Sequence, residues 1–78
     1  MDINEFIDKI KEQYEEPMNC EVSLETEFRA MSGWGSIVGL GIIMMIANEY
    51  GVEMAADDLR AAKTLQDIYD FVVAHKGN

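Results

Sequence analysis

The stretch Gly33-Trp34-Gly35-Ser36-Ile37-Val38-Gly39-Leu40-Gly41-Ile42-Ile43-Met44-Met45-Ile46-Ala47-Asn48-Glu49-Tyr50 decides how the rest of the chain is read. It offers a small, flexible approach, one serine hydroxyl at Ser36, and then a long apolar run. A helix from about Ser36 to Tyr50 is expected, closed by Gly51, a residue suited to the left-handed position after a helix. No charge falls between Arg29 and Glu49, although fifteen acids and six bases make charges dense elsewhere. One serine is thus set in an uncharged region of an otherwise polar, acidic chain. Ser36 is the candidate functional residue, and the other elements are expected to hold it in place.

Working outward, 78 residues permit one domain, residues 1–78. Nearly half of them are hydrophobic, which excludes disorder by composition. Cys20 is the only cysteine, so no disulfide framework assists so small a core, and an unpaired thiol suits a reducing cytosol. A net charge of −9 repels nucleic acid phosphates and anionic lipid surfaces, and it favours basic patches on other proteins. It also keeps a small domain monomeric. Met1-Asp2-Ile3-Asn4-Glu5 shows no basic region leading into an apolar one, so no signal peptide is expected. The uncharged run approaches the length of a membrane span, but it begins as a turn and its continuous part, Ile37 to Ala47, is broken by two glycines. That reads as a buried or half-buried helix rather than a span.

Before this stretch, Ile3, Phe6, Ile7, Ile10 and Tyr14 recur at helical spacing, with Asp8, Lys9, Lys11 and Glu12 on other faces. Asp2 or Asn4 can cap this first helix, and Glu15-Glu16-Pro17 should end it. Residues 17–35 make a connection long for so small a domain, in which Leu24, Phe28 and Met31 are spaced to form a short turn pinned to the core. After the central helix, Ala55 to Ala62 reads as a short helix with Asp57 or Asp58 near its positive end. Thr64 and Asp67 form a near capping box for a last helix, whose buried face is Leu65, Ile68, Tyr69, Val72 and Val73. Lys76 and Gly77 suit its end. No strand signal and no repeat appears. The expected fold is all-α, a small bundle of three principal helices plus one short one.

Within the central helix, Gly39, Ile42, Ile43, Ile46 and Tyr50 share one face, and Ile37, Gly41, Met44 and Asn48 lie roughly opposite. One face closes a core; the other is apolar without a structural need for it. Adjacent Met44 and Met45 cannot point the same way, so at least one serves an adaptable outer surface. Two glycines inside a helix cost about 1 kcal/mol each relative to alanine. Close packing, or room left for a ligand, should offset that cost. Gly39 and Gly41 follow no strand and make no dinucleotide loop. Ser36 could simply cap the helix, a role Gly35 or Ser32 could also fill; a helix start would equally favour a phosphate on Ser36. His75, the only histidine, stands at the far end of the chain, so no Ser-His pair points to hydrolysis. Cys20 and His75 are isolated and the carboxylates lack calcium-loop spacing, so no metal site is expected.

Taken together, the layout resembles the acyl carrier protein family. Phe28 and Gly33 sit in the long loop, and Gly35-Ser36-Ile37 stands where the family has Asp-Ser-Leu. Glu49-Tyr50-Gly51-Val52-Glu53-Met54 is similar to its Glu-(Phe/Tyr)-Gly-Ile-Glu-Ile. Asp57-Asp58 and Lys63-Thr64-Leu65-Gln66-Asp67 then match its short acidic helix and the start of its last helix. The resemblance runs without evident gaps from Phe28 to Val72. It implies a non-catalytic carrier with 4′-phosphopantetheine on Ser36, placed there by a phosphopantetheinyl transferase using coenzyme A and magnesium. Acyl groups would ride on the arm as thioesters between acyl-transfer or condensing enzymes of fatty-acid or other lipid biosynthesis, in the cytoplasm. An acyl chain would bury between the helices, lined by Gly39, Ile43, Ile46, Met54, Leu59, Ile68 and Tyr69, with Gly39 leaving space near the mouth.

Two departures from the family pattern carry expectations of their own. Gly35 replaces the usual aspartate and should slow or restrict the transferase. The acids that the family carries along its second helix are absent, leaving only Glu49. Docking is therefore assigned to an apolar surface of Ile37, Val38, Gly41, Met44, Met45 and Asn48, with weak salt dependence. An aminoacyl or aryl carrier, and an unmodified carrier-like interaction module, are the competing readings.

Overall fold

In the computed structural model, which describes residues 2–14 and 22–76, the Asp2 carboxylate opens the first helix. It accepts the backbone N–H of Asn4 at 2.9 Å and of Glu5 at 3.3 Å. This helix, α1, runs Ile3–Lys11 and buries Phe6 and Ile10 on one face. It stops short of the expected end. The N–H groups of Gln13 and Tyr14 bond back three residues, to Ile10 and Lys11, and Gln13 Nε2 donates to the Lys9 carbonyl at 3.1 Å. The tightened turn swings Tyr14 inward, where its hydroxyl donates to the Phe28 carbonyl at 2.7 Å. Burial pushes that hydroxyl up to about 12. Glu15-Glu16-Pro17, Cys20 and Gly77 lie outside the described residues.

The connection into the central helix is braced at three places. A short 3₁₀ turn, Phe28–Ala30, buries Phe28 completely, and Met31 is buried beside it. The N–H groups of Leu65 and Gln66 donate to the carbonyls of Thr26 at 3.0 Å and Leu24 at 2.7 Å. The loop thereby satisfies donors that the start of a helix leaves without partners. The Arg29 guanidinium lies 4.9 Å from the Phe28 ring and donates to the Leu59 carbonyl at 3.1 Å.

Helix α2 spans Ser36–Tyr50, and Gly51 closes it at φ 68°, its N–H donating to the Ala47 carbonyl at 3.1 Å. Helix α3, Ala56–Ala61, starts with the Asp58 carboxylate accepting the Ala55 N–H at 3.0 Å. Helix α4, Leu65–His75, carries the full reciprocal cap. Thr64 Oγ1 accepts the Asp67 N–H at 3.3 Å, and the Asp67 carboxylate accepts the N–H groups of Thr64 at 3.1 Å and Lys63 at 2.8 Å. Those backbone donors hold the Asp67 carboxyl below the usual aspartate range.

The described residues form an all-α bundle of three longer helices and one short one. No strand occurs among the described residues; Glu27 and Thr64 form one isolated antiparallel bridge where the loop meets α4. Phe6, Ile10, Phe28, Ile42, Ile46, Leu65, Ile68 and Val72 are fully enclosed and bring α1, α2, α4 and the loop onto one core. On α4, Val73 is exposed and Tyr69 only half buried, so the buried row is Leu65, Ile68 and Val72. Burying each such aliphatic or aromatic side chain contributes roughly 1.5–3 kcal/mol. That burial fixes the register of α2, and with it the place of Ser36.

Candidate functional site

The approach to Ser36 is set by a glycine turn and an aromatic anchor. Gly33 sits at φ 91°, where a side chain would be strained. The Trp34 N–H donates to the Met31 carbonyl at 3.2 Å. The Trp34 ring then meets Phe28 edge-on at 5.5 Å and Tyr14 at 6.5 Å. Gly35 is extended, with φ −172°, and nothing lies within 4 Å of where its Cβ would be. Ser36 follows as the exposed first residue of α2.

Among the described residues no side chain caps α2. Of the three candidate caps, Gly35 takes the position, and the Gly39 N–H donates to its carbonyl at 3.0 Å. The serine hydroxyl is therefore not spent on the cap. The first-turn N–H groups, together with the positive end of the helix dipole, favour an anionic group at this point. An exposed hydroxyl beside uncapped N–H groups fits a phosphodiester-linked prosthetic group.

From Ser36 the outer face of α2 runs as an apolar row. Ile37 is 81% exposed, Leu40 58% and Met44 55%, and Ala47 and Asn48 are exposed further on. Residues three and four apart share a helix face, so Ile37, Leu40 and Met44 form one ridge. Leu40 was not among the residues expected there. Val38 and Met45, which were, face the core and are buried. Gly41 is covered too: a Cβ there would stand 2.7 Å from Gln13 Oε1, in the turn that follows α1. Glu49, the acid of this helix, pairs with Lys9 of α1 at 3.3 Å and raises the lysine pKa. The exposed residues of α2 ahead of Glu49 carry no charge.

On the inner side, Ile46, Met54, Leu59 and Ile68 are buried, while Ile43 and Tyr69 are half buried against the same core. These five hydrophobic chains and Tyr69 do come together. Gly39 does not open onto free space beside them. A Cβ on Gly39 would stand 3.2 Å from Trp34 Cη2 and 3.3 Å from Leu59 Cδ2. Both glycines inside α2 are thus places of close approach, one for an indole and one for the Gln13 side chain. Trp34 is the residue of the site that sequence reasoning missed; the signal available was an indole flanked by glycines just ahead of a helix with a glycine near its start.

Among the described residues no helix is long and apolar enough to cross a membrane. No group of three or more His, Cys, Asp or Glu side chains is gathered among them to hold a metal ion.

This arrangement, an exposed serine opening the central helix of a small all-α bundle, coincides with a sequence match to the phosphopantetheine attachment site family over residues 8–72. The chain is also 30% identical over 53 residues to Acyl carrier protein 2 of Pseudomonas aeruginosa, covering 68% of this chain and 67% of that protein. No solved structure gives a significant match. The class is a phosphopantetheine carrier. The chain belongs to the acyl carrier protein family.

Proposed function

We propose that this chain is a single carrier domain that takes 4′-phosphopantetheine on Ser36 and delivers acyl groups to partner enzymes for fatty-acid-type or specialised acyl biosynthesis. The observation that carries the assignment to Ser36 is its position: exposed, first in α2, with Gly35 and not Ser36 as the cap. The arm, when present, supplies a terminal thiol for thioester linkage. The chain's own contribution is presentation. Trp34 and Gly33 hold the approach, α2 offers its uncapped N–H groups to the phosphate, and the Ile37–Leu40–Met44 ridge offers an apolar docking surface one residue away. Catalysis belongs to the partners: a phosphopantetheinyl transferase, then acyl-transfer or condensing enzymes, met in the cytoplasm by a monomeric carrier.

The test is intact mass after incubation with coenzyme A, magnesium and a broad-specificity transferase. Gain of one phosphopantetheine, abolished in Ser36→Ala, supports the reading. No gain with any transferase favours an unmodified interaction module, the reading that Gly35 in place of aspartate keeps open. Loading by an amino-acid- or aryl-activating enzyme but by no acyl-transfer enzyme would make it an aminoacyl or aryl carrier.

A further inference from the structure

We infer that Trp34 determines which cargo this domain shelters: its indole closes the cleft between α2 and α3 beside Ser36, so an apolar chain carried from Ser36 stays outside the bundle. This rests on the carrier reading above.

Three observations converge on the indole. Its chain position is two residues before Ser36, yet it turns inward while Ser36 turns out. Its far edge fills the space over Gly39, with Cη2 and Cζ2 at 3.2 and 3.7 Å from where a Cβ would stand, and Leu59 Cδ2 of α3 stands 3.3 Å from the same point. From behind, Phe28 and Tyr14 hold the ring, and both are buried; Tyr14 is fixed in turn by its hydrogen bond to the Phe28 carbonyl. A chain entering between α2 and α3 from the Ser36 end would have to expel this ring.

The exchange is unfavourable for small cargo. Trp34 is half buried against the core, so expelling it exposes that covered ring area and breaks an edge-on contact with Phe28 that an alkyl chain cannot replace. Each methylene of an incoming chain recovers only a fraction of that area. Short, polar or aromatic acyl groups therefore gain nothing by entering, and even a medium alkyl chain is left to the solvent or to the partner enzyme. The substrate class that follows is acyl groups that need no shelter in transit, passed directly to the next enzyme.

The chain's single tryptophan makes the test direct. Wild type, Trp34→Phe and Leu59→Ala, each carrying the arm, are loaded with acetyl or octanoyl groups. Thioester cleavage by hydroxylamine is followed by intact mass, and indole emission is recorded for the two proteins that retain Trp34. In wild type the octanoyl and acetyl forms should be cleaved at similar rates, with the same indole emission. Trp34→Phe keeps an aromatic ring against Phe28 but removes the edge over Gly39; Leu59→Ala opens the same cleft from α3. Octanoyl cleavage in these variants should be slower than acetyl cleavage by about tenfold, the factor that burying two or so methylenes supports. Octanoyl protection or a shifted indole emission in wild type overturns the inference and leaves the carrier reading intact. So does lack of protection in both variants. Failure of Ser36 to take the arm removes the carrier reading and this inference with it.

Discussion

Lys9 Nζ stands 3.3 Å from Glu49 Oε1, so the acid of α2 is paired with a base of α1 while its side chain stays 48% exposed. The Glu49 carboxylate, accepting from the Lys9 ammonium, raises the Lys9 pKa. The exposed apolar ridge of α2 is made by Ile37, Leu40 and Met44. An acidic carrier with an uncharged contact surface should be steered by its net charge and held by apolar burial.

The ridge gives the first prediction. Ile37→Ala should lower transferase kcat/KM by about tenfold, because docking buries a side chain worth roughly 1.5–3 kcal/mol. Its effect on folding should stay within about 0.5 kcal/mol, as for other exposed positions. Raising salt from roughly 50 to 200 mM should change the wild-type rate by less than about threefold. A steep fall with salt would show that charged contacts dominate.

Gly35 supplies the second. Its φ of −172° is open to any residue and its Cβ direction is empty, so Gly35→Asp should fold without strain. Aspartate and glycine caps differ by only a few tenths of a kcal/mol, so the melting temperature should barely move. If the transferase reads the usual aspartate, modification should speed up by about tenfold, what a hydrogen bond to a charged group supplies at roughly 1.5 kcal/mol. An unchanged rate would show that Gly35 imposes no restriction.

Tyr14 gives the third. Tyr14→Phe removes the 2.7 Å bond to the Phe28 carbonyl, which keeps a longer one from the Met31 N–H at 3.4 Å. The cost should be about 1 kcal/mol in chemical unfolding. The folded-state pKa of this hydroxyl is raised from 10.0 to about 12, so its contribution is intact below 10.0 and is lost as pH climbs toward the higher value. The variant should therefore lose less stability across that alkaline range than wild type does.

Asp67 titrates at the other end of the scale. The N–H groups of Lys63 and Thr64 lower its pKa below 3.8, so its contribution is present above that value and lost as pH falls through the lower folded one. Asp67→Asn should flatten the acid limb of a melting-temperature profile between about pH 5 and pH 2. A profile identical to wild type would mean that the cap does not couple to folding.

The bounds of α2 were legible because glycine punctuation and an unbroken apolar run mark them at Ser36 and Gly51. The start of α4 was legible for the same local reason, Thr64 and Asp67 closing on each other. Ser36 stood out as the hydroxyl of an uncharged stretch. Which way each side chain of α2 points was harder to read. A helix apolar all round has no contrast in its periodicity, so Val38 and Met45 were assigned outward and Leu40 was overlooked. The Gln13 side chain covers Gly41, a contact that depends on where α1 stops. The early stop was hidden as well, since Tyr14 serves a carbonyl fourteen residues away. Trp34 reads locally as part of a turn; its role comes from Phe28 behind it and Leu59 across from it.

The central claim is that Ser36 carries the arm. Its most direct test is fragment-ion mass spectrometry of the Ser36-containing peptide from protein produced alongside a broad-specificity transferase. The account predicts one phosphopantetheine on that peptide, fragment ions assigning it to Ser36, and none on Ser23 or Ser32. A peptide found only unmodified, or an arm assigned to another residue, would contradict it.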